Sequence, residues 1–292
     1  MELDFRRVRF FLQVSRTLNF SQAARELGIS QPALTKSVQK LEEAVGGRLI
    51  RREGRHTHLT QLGQSMLPYF KDLDVTARRA GKAAKDMVAG HMPVLRIGVM
   101  CTVSSGAVSE FISKYQGAHP QLEIILLDYV RSDIARALLD GIIDMAIVGA
   151  QVEDEQKLRY IKLYSEPLIL ACADDHPLAG RSLIGLEDVV RYPYLDRLRC
   201  EFRETFLNET RRRGFQPMFS ARSDREDWIQ SLIQKGAGIS IVPEKWVYLS
   251  GIRKIKMSDP TLSRTVFAAI AFGREDTVEV QRFLNSVRSY SW

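Results

Sequence analysis

The chain has 292 residues, 45 % of them hydrophobic and 26 % charged, with a formal net charge of +7, so it can bury two or three hydrophobic cores. No stretch reaches the roughly 18 to 20 uncharged apolar residues of a membrane span, the start from Met1 to Phe11 is charged and amphipathic rather than an apolar leader, and three cysteines without paired spacing fit a reducing compartment. A cytoplasmic protein with no membrane partner is therefore expected. The charge is uneven: residues 1–90 carry sixteen Lys and Arg against nine Asp and Glu, whereas residues 91–292 hold 26 of each. A polyanion partner is expected only at the N-terminal end, because phosphate neutralisation needs local positive charge.

The segment from Thr17 to Leu62 reads as two short helices joined by a tight turn and followed by a basic hairpin. Ser21 is the expected cap of a helix carrying Ala23, Ala24 and Leu27 at helical spacing, and Gly28 supplies the left-handed residue that ends it. Ser30 caps the next helix, with Pro32 in the first turn, where a missing N–H costs nothing. Leu34, Val38 and Leu41 face inward, which leaves Gln31, Ala33, Thr35, Lys36, Gln39 and Lys40 outside. Gln can pair with adenine edges, Thr and Ala can touch thymine methyls, and Lys can bind guanine or phosphate, so this face suits a DNA major groove. Ser21, Gln22, Ser30, Gln31, Pro32, Ala33, Thr35, Lys36, Gln39 and Lys40 are the candidate contacts. Arg48, Arg51, Arg52 and Arg55 cluster around an expected hairpin tip at Glu53-Gly54, a wing from which Arg52 and Arg55 reach the duplex backbone or minor groove. The bland alternative is a helical pair whose Lys and Gln are simply solvated.

From Thr60 to about Ala89 the pattern predicts one long helix, capped by Thr60, with an apolar repeat that includes Leu62, Met66, Leu67, Phe70, Leu73, Val75, Ala77, Ala80, Ala84 and Val88. At 1.5 Å per residue it is about 45 Å long, more than a small domain can cover. Packing against a copy of itself is expected; a solitary solvent-bridging linker is the alternative. After Gly90-His91-Met92-Pro93, strands alternate with helices. Strands are expected at 94–100, 122–128 and 143–149 with helices at about Ser104 to Gln116 and Ile134 to Leu139, implying right-handed crossovers and a parallel sheet. A second set places strands at 168–173, 192–196, 218–221 and 238–243 and helices around Leu186 to Val190, Cys200 to Arg213 and Asp224 to Lys235. Residues 264–272 form a return strand and Val278 to Tyr290 a closing helix. Two lobes joined by crossing strands leave a cleft, the default place for a small ligand.

These features together resemble the LysR-type transcriptional regulators over the full chain. F-S-Q-A-A (Phe20 to Ala24), S-Q-P-A-L-T (Ser30 to Thr35), Leu41-Glu42, the run from Gly46 to Arg52 and L-T-x-x-G (Leu59 to Gly63) follow the family's order; so do P-x-L-E-I (Pro120 to Ile124), L-x-x-G-x-I-D-M-A-I (Leu138 to Ile147), D-D-H-P-L (Asp174 to Leu178) and G-x-G-I-S-I-V-P (Gly236 to Pro243). The resemblance implies an N-terminal all-α winged helix-turn-helix (1–59), a linker helix and hinge (60–92), and a C-terminal α/β two-lobed domain similar to type 2 periplasmic binding proteins (93–292). Lobe I would take about 94–163 and 266–292, lobe II about 164–265. It also implies a homodimer or homotetramer on double-stranded DNA with an inverted-repeat operator, a small-molecule effector, and RNA polymerase as a candidate further partner.

In the expected cleft, Cys101, Thr102, Val103 and Ser104 open a helix, so their hydroxyls and backbone N–H groups suit a carboxylate or phosphate, with ordinary helix capping as the alternative. Where the family usually keeps Ser or Thr, three residues before Ile134, this chain has Arg131. That points to an anionic effector held bidentately, or to an arginine turned to solvent. Gly149, Arg199, Cys200 and Ser223 complete the candidate set. Cys200 lies where peroxide-sensing members of the family keep a reactive cysteine, and Arg197, Arg199 and Arg203 with a helix N-terminus would favour its thiolate; the position of a resolving cysteine is held by Glu209, so sulfenate or mixed-disulfide chemistry is the redox form left. Cys172 reads as core. An enzyme is not expected: no phosphate loop, kinase set or G-x-S-x-G occurs, His56 and His58 are too few for zinc, and no histidine is near Cys200 in sequence. No cofactor or metal is expected. A secreted solute-binding protein is the remaining rival, opposed by the basic N-terminal segment.

Overall fold

The computed structural model describes residues 3–53, 56–90, 92–150, 157–247, 249–273 and 277–292. It divides into two units, Met1–His91 and Met92–Trp292.

The first unit holds α1 (Phe5–Thr17), α2 (Phe20–Leu27), α3 (Gln31–Val45), β1 (Ile50–Glu53), β2 (His56–Leu59) and α4 (Gln61–Val88). The cap of α2 is Asn19, not Ser21: the Asn19 side chain accepts from the Gln22 N–H at 3.0 Å, and Ser21 sits exposed inside the helix. Asn serves here because its carbonyl oxygen reaches the open N–H groups of the first turn. Ser30 caps α3 as the spacing predicts, and Gly28 ends α2 at φ 66°. Val8, Phe11, Val14, Ala23, Ala24, Leu34, Val38, Leu41 and Leu49 form one core. The start of α4 belongs to it, since Phe70 is fully buried edge to face against Phe11 with ring centroids 5.4 Å apart. Gly63 permits that approach: a Cβ there would run into the carbonyl oxygen of Leu49. Thr60 caps α4 through the Gly63 N–H at 3.0 Å. From Thr76 to Val88, by contrast, every described side chain is exposed.

The second unit contains β3 (Val94–Met100), α5 (Ser105–Ala118), β4 (Glu123–Tyr129), α6 (Arg131–Leu139), β5 (Met145–Val148), β6 (Leu158–Ala173), β7 (Leu183–Gly185), α7 (Leu186–Val189), β8 (Tyr194–Arg197), α8 (Arg203–Arg212), β9 (Phe219–Ser223), α9 (Glu226–Gln234), β10 (Ser240–Pro243), β11 (Ile252–Asp259), β12 (Ser263–Ala271) and α10 (Val278–Ser289). One sheet runs in the order β4-β3-β5-β12-β6-β11-β7, with β10 also on β6; β8 and β9 pair separately. The sheet is mixed rather than parallel. β3, β4 and β5 run parallel, but β12 is antiparallel to β5 and β6, and β10 and β11 are antiparallel to β6.

Sixteen-residue β6 is the axis of this unit. Its first half pairs with β12 in the cluster of Ile97, Phe111, Ile134, Ile147 and Phe283, and its second half pairs with β10 and β11 beside a cluster of Leu170, Ile184, Phe206 and Ile255. Thus β6 and β12 are the strands that cross between the lobes. β6 begins at Leu158 rather than at the expected Leu168, because Arg159, Lys162, Glu166 and Pro167 interrupt its apolar run. β11 was not expected, for the same reason: a strand with one solvated face carries too many charges to look buried; β7 was not expected because only three residues form it.

Candidate functional site

The outer face of α3 is the first candidate. Pro32, Ala33, Lys36, Gln39 and Lys40 are exposed, as are Ser21, Gln22 and Ser30, while Gln31 and Thr35 are half-buried. The half-burial has a cause. Arg52 on β1 lies over the Phe20 ring with its guanidinium carbon 3.8 Å from the centroid, and its Nη2 donates to Thr35 Oγ1 at 3.1 Å. The same hydroxyl accepts from Gln31 Nε2 at 3.3 Å. A cation over an aromatic face is attracted by about 0.5–1 kcal/mol at exposed sites, so Arg52 holds strand and helix together and presents its charge beside the helix start. Glu42 makes the second tie, its Oε1 accepting the N–H groups of Leu49 and Ile50 at 2.8 and 3.0 Å. Glu42 was not among the expected site residues; a carboxylate one helical turn before a glycine-led strand is the signal that was there to find. Arg55 and the hairpin connection lie outside the described residues.

The second candidate lies where the two lobes meet. Thr102 follows β3 and is fully buried, Glu201 follows β8, and Glu166 and Arg264 stand on the crossing strands. Arg264 joins them: Nε donates to Glu166 Oε1 at 2.9 Å, Nη1 to Thr102 Oγ1 at 3.1 Å and to Glu201 Oε1 at 2.7 Å, and Nη2 to the Thr102 carbonyl at 2.8 Å. The second oxygen of Glu166 accepts the Lys245 N–H at 2.7 Å. The side chains of Arg264, Glu166 and Glu201 are each at most 2 % exposed. A buried pair is strong only where its remaining hydrogen bonds are supplied locally, as they are for both oxygens of Glu166. Gly149 is buried against it, since a Cβ there would lie 2.5 Å from Arg264 Nη1 and 2.8 Å from Glu201 Oε1. Its small size makes room for the ion pair. Beside this network Arg197 holds Glu226 through Nε at 2.8 Å, donates to Cys200 Sγ at 3.3 Å and stacks on Trp246.

A model of the LysR substrate binding domain matches residues 89–292, and one of the bacterial regulatory helix-turn-helix protein of the lysR family matches residues 5–64. The chain belongs to the LysR family. It is a DNA-binding transcriptional regulator with an effector-binding domain. Among its relatives, the uncharacterized regulator YybE of Bacillus subtilis is 27 % identical, over 93 % of this chain and 94 % of that protein. Two solved structures share the fold: a full-length OxyR variant from Pseudomonas aeruginosa, with TM-score 0.62, 21 % identity and coverage of 100 % and 96 %, and full-length CbnR complexed with its target DNA, with TM-score 0.55, 20 % identity and coverage of 98 % and 99 %.

In this LysR-type regulator the sequence-selected cleft residues divide. Thr102 and Gly149 share the buried junction with Arg264, and Cys101 follows β3 beside Thr102. Ser104 caps α5, its Oγ accepting from the Ala107 N–H at 3.3 Å, and Val103 is buried next to it. Ser223 Oγ accepts the Arg225 N–H at 3.0 Å in the turn before α9. Arg131 is exposed as the first residue of α6, and Arg199 is turned outward to Asp224 at 3.0 Å. Arg264, Glu166 and Glu201 were not anticipated, because nothing local marks them: Arg264 meets partners 98 and 63 residues away in sequence.

The arrangement that would favour a thiolate at Cys200, three arginines around the thiol, is not what the structure shows. Arg203 is engaged bidentately by Asp196 at 2.8 and 2.9 Å and Arg199 by Asp224, so of the three arginines Arg197 is the one that touches Sγ. Burial outweighs it and pushes the thiol up to about 11. Cys101 is pushed up to about 12, first by burial and then by Glu226, Asp128 and Glu201. Cys172 is core, as expected. Among the described residues no helix is long and apolar enough to cross a membrane, and no cluster of three or more His, Cys, Asp or Glu is placed to hold a metal.

Proposed function

We propose that the protein binds an inverted-repeat operator in double-stranded DNA as a homodimer or a pair of dimers, with α3 reading base edges and Arg52 on the strand beside it meeting the backbone. Two such modules on successive turns of the duplex set the half-site spacing. The observation that carries this reading is the outward set Ala33, Lys36, Gln39 and Lys40 on a helix whose opposite face, Leu34, Val38 and Leu41, is fully committed to the core. The exposed second half of α4 supplies the surface for pairing with a second copy.

A small effector bearing an anionic group then enters the junction of the two lobes and acts through the Thr102 loop and Arg264. It shifts transcription only to the extent that it binds one lobe arrangement better than the other. Nuclease footprinting on fragments selected from genomic DNA tests the operator reading. Two protected half-sites separated by one or two helical turns are expected; uniform protection without register would refute it.

A further inference from the structure

One group at the lobe junction is only half satisfied. Glu201 Oε1 accepts from Arg264, but among the described residues Glu201 Oε2 is buried without a hydrogen-bond partner, and so is Arg197 Nη2. The two side chains are 2 % and 3 % exposed, so water outside the molecule does not reach them as it reaches a surface pair. They belong to one neighbourhood: Arg197 Nη1 touches Cys200, and Glu201 follows Cys200 directly. Among the paired charges of this network, Glu166, Glu201 and Glu226 outnumber Arg197 and Arg264. One free acceptor and one free charged donor thus lie in a network with an excess of negative charge, and the neutral Tyr164 hydroxyl near Glu166 and Arg264 is buried without a partner as well.

We propose that the effector is a small zwitterion of the α-amino acid class, whose ammonium donates to Glu201 Oε2 and whose carboxylate accepts from Arg197 Nη2. This rests on the reading of the lobe junction as the effector site. Charge decides between the candidates. A plain carboxylic acid satisfies Arg197 but adds a negative charge beside three carboxylates and leaves Glu201 Oε2 bare; a plain amine satisfies Glu201 and leaves Arg197 Nη2 bare. Buried donors and acceptors without partners are costly, and a ligand that fills both at once without changing the net charge removes both costs. A carboxylate site built to hold an amino group rejects the analogue lacking it, because the site's own polar group is then stranded.

The test is thermal unfolding and calorimetric titration of the full chain with three matched sets at equal concentration: the common α-amino acids, the same carbon skeletons lacking the amino group, and the same skeletons lacking the carboxyl group. At least one amino acid should raise the unfolding temperature in a dose-dependent way, as a ligand of the folded state must, with neither counterpart doing so. Glu201→Gln, which keeps size and shape, should weaken that amino acid roughly tenfold or more, the scale of a lost charged hydrogen bond, while keeping the wild-type far-UV circular dichroism. An equal response to the deaminated acid, unchanged affinity in Glu201→Gln, or no binding by any amino acid would overturn the proposal. Selective operator binding measured on the same wild-type sample separates the outcomes: if it persists while all amino acids fail, the ligand class is wrong and the DNA-binding reading stands.

Discussion

At the lobe junction Gly149 is a demanding residue, whose lack of a side chain leaves room for a guanidinium and a carboxylate. Gly149→Ala should force Arg264 or Glu201 aside and cost roughly 1–3 kcal/mol, the usual range for overpacking a tight interior. A urea titration checks this, and a midpoint equal to wild type would contradict it. The thiols make a second prediction at this scale. Cys200 and Cys172 are held near 11 and Cys101 near 12, against 9.0 for the unperturbed group. A raised folded-state value means that the folded protein favours the protonated thiol, so the associated stability is intact below pH 9.0 and is lost as pH rises through about 11. At about pH 8, alkylation should be roughly tenfold or more slower in the native protein than in denaturant, since the thiolate is the reactive form. A cysteine that reacts faster in the native state would revive thiol-based sensing. Gly149 and Cys200 were both visible in the sequence as cleft residues. What each does was not, because the Arg264 that packs on Gly149, and the burial that raises the Cys200 thiol, arise only when distant strands meet.

At the scale of elements, the helix-turn-helix was legible almost residue by residue. Ser30, Pro32 and Gly28 are local signals, and local signals survive folding. Two residues depart from that pattern: Asn19 displaced Ser21 as the cap because both are good caps within two residues, and Glu42 acts through backbone N–H groups seven and eight residues further on, where β1 begins. On α3, Gln31→Ala and Lys36→Ala should each weaken operator binding, with about 1–3 kcal/mol for a lost base contact. If the role of Lys36 is phosphate neutralisation instead, its variant should reduce the salt slope by about one and affect all sequences alike. Filter binding at several salt concentrations distinguishes the two, and retention of full affinity by both variants would show that another face meets DNA. For α4, the described side chains from Thr76 to Val88, all exposed and with Val88 at 90 % exposure, should be covered in solution. Ala84→Glu should shift the sedimentation profile toward monomer without altering the far-UV spectrum. An unchanged profile would place the dimer surface elsewhere.

Across the whole molecule the charge asymmetry read from composition coincides with the division into two units. The excess of positive charge falls on Met1–His91, which holds α3, and the neutral remainder builds the two-lobed unit. The lobes themselves were legible from strand and helix alternation, whereas the mixed direction of the sheet was not, since antiparallel β10, β11 and β12 return along β6 from far along the chain. The proposed function depends above all on the basic unit recognising a sequence and not merely a polyanion. The most direct measurement of that is the ratio of affinities for a genomically selected fragment and for its scrambled duplex, taken at near-physiological salt for the wild type and for Lys36→Ala. The expected result is a preference of roughly a thousandfold or more for the selected fragment, diminished in the variant if Lys36 touches a base; equal affinity for the two duplexes in the wild type would contradict it.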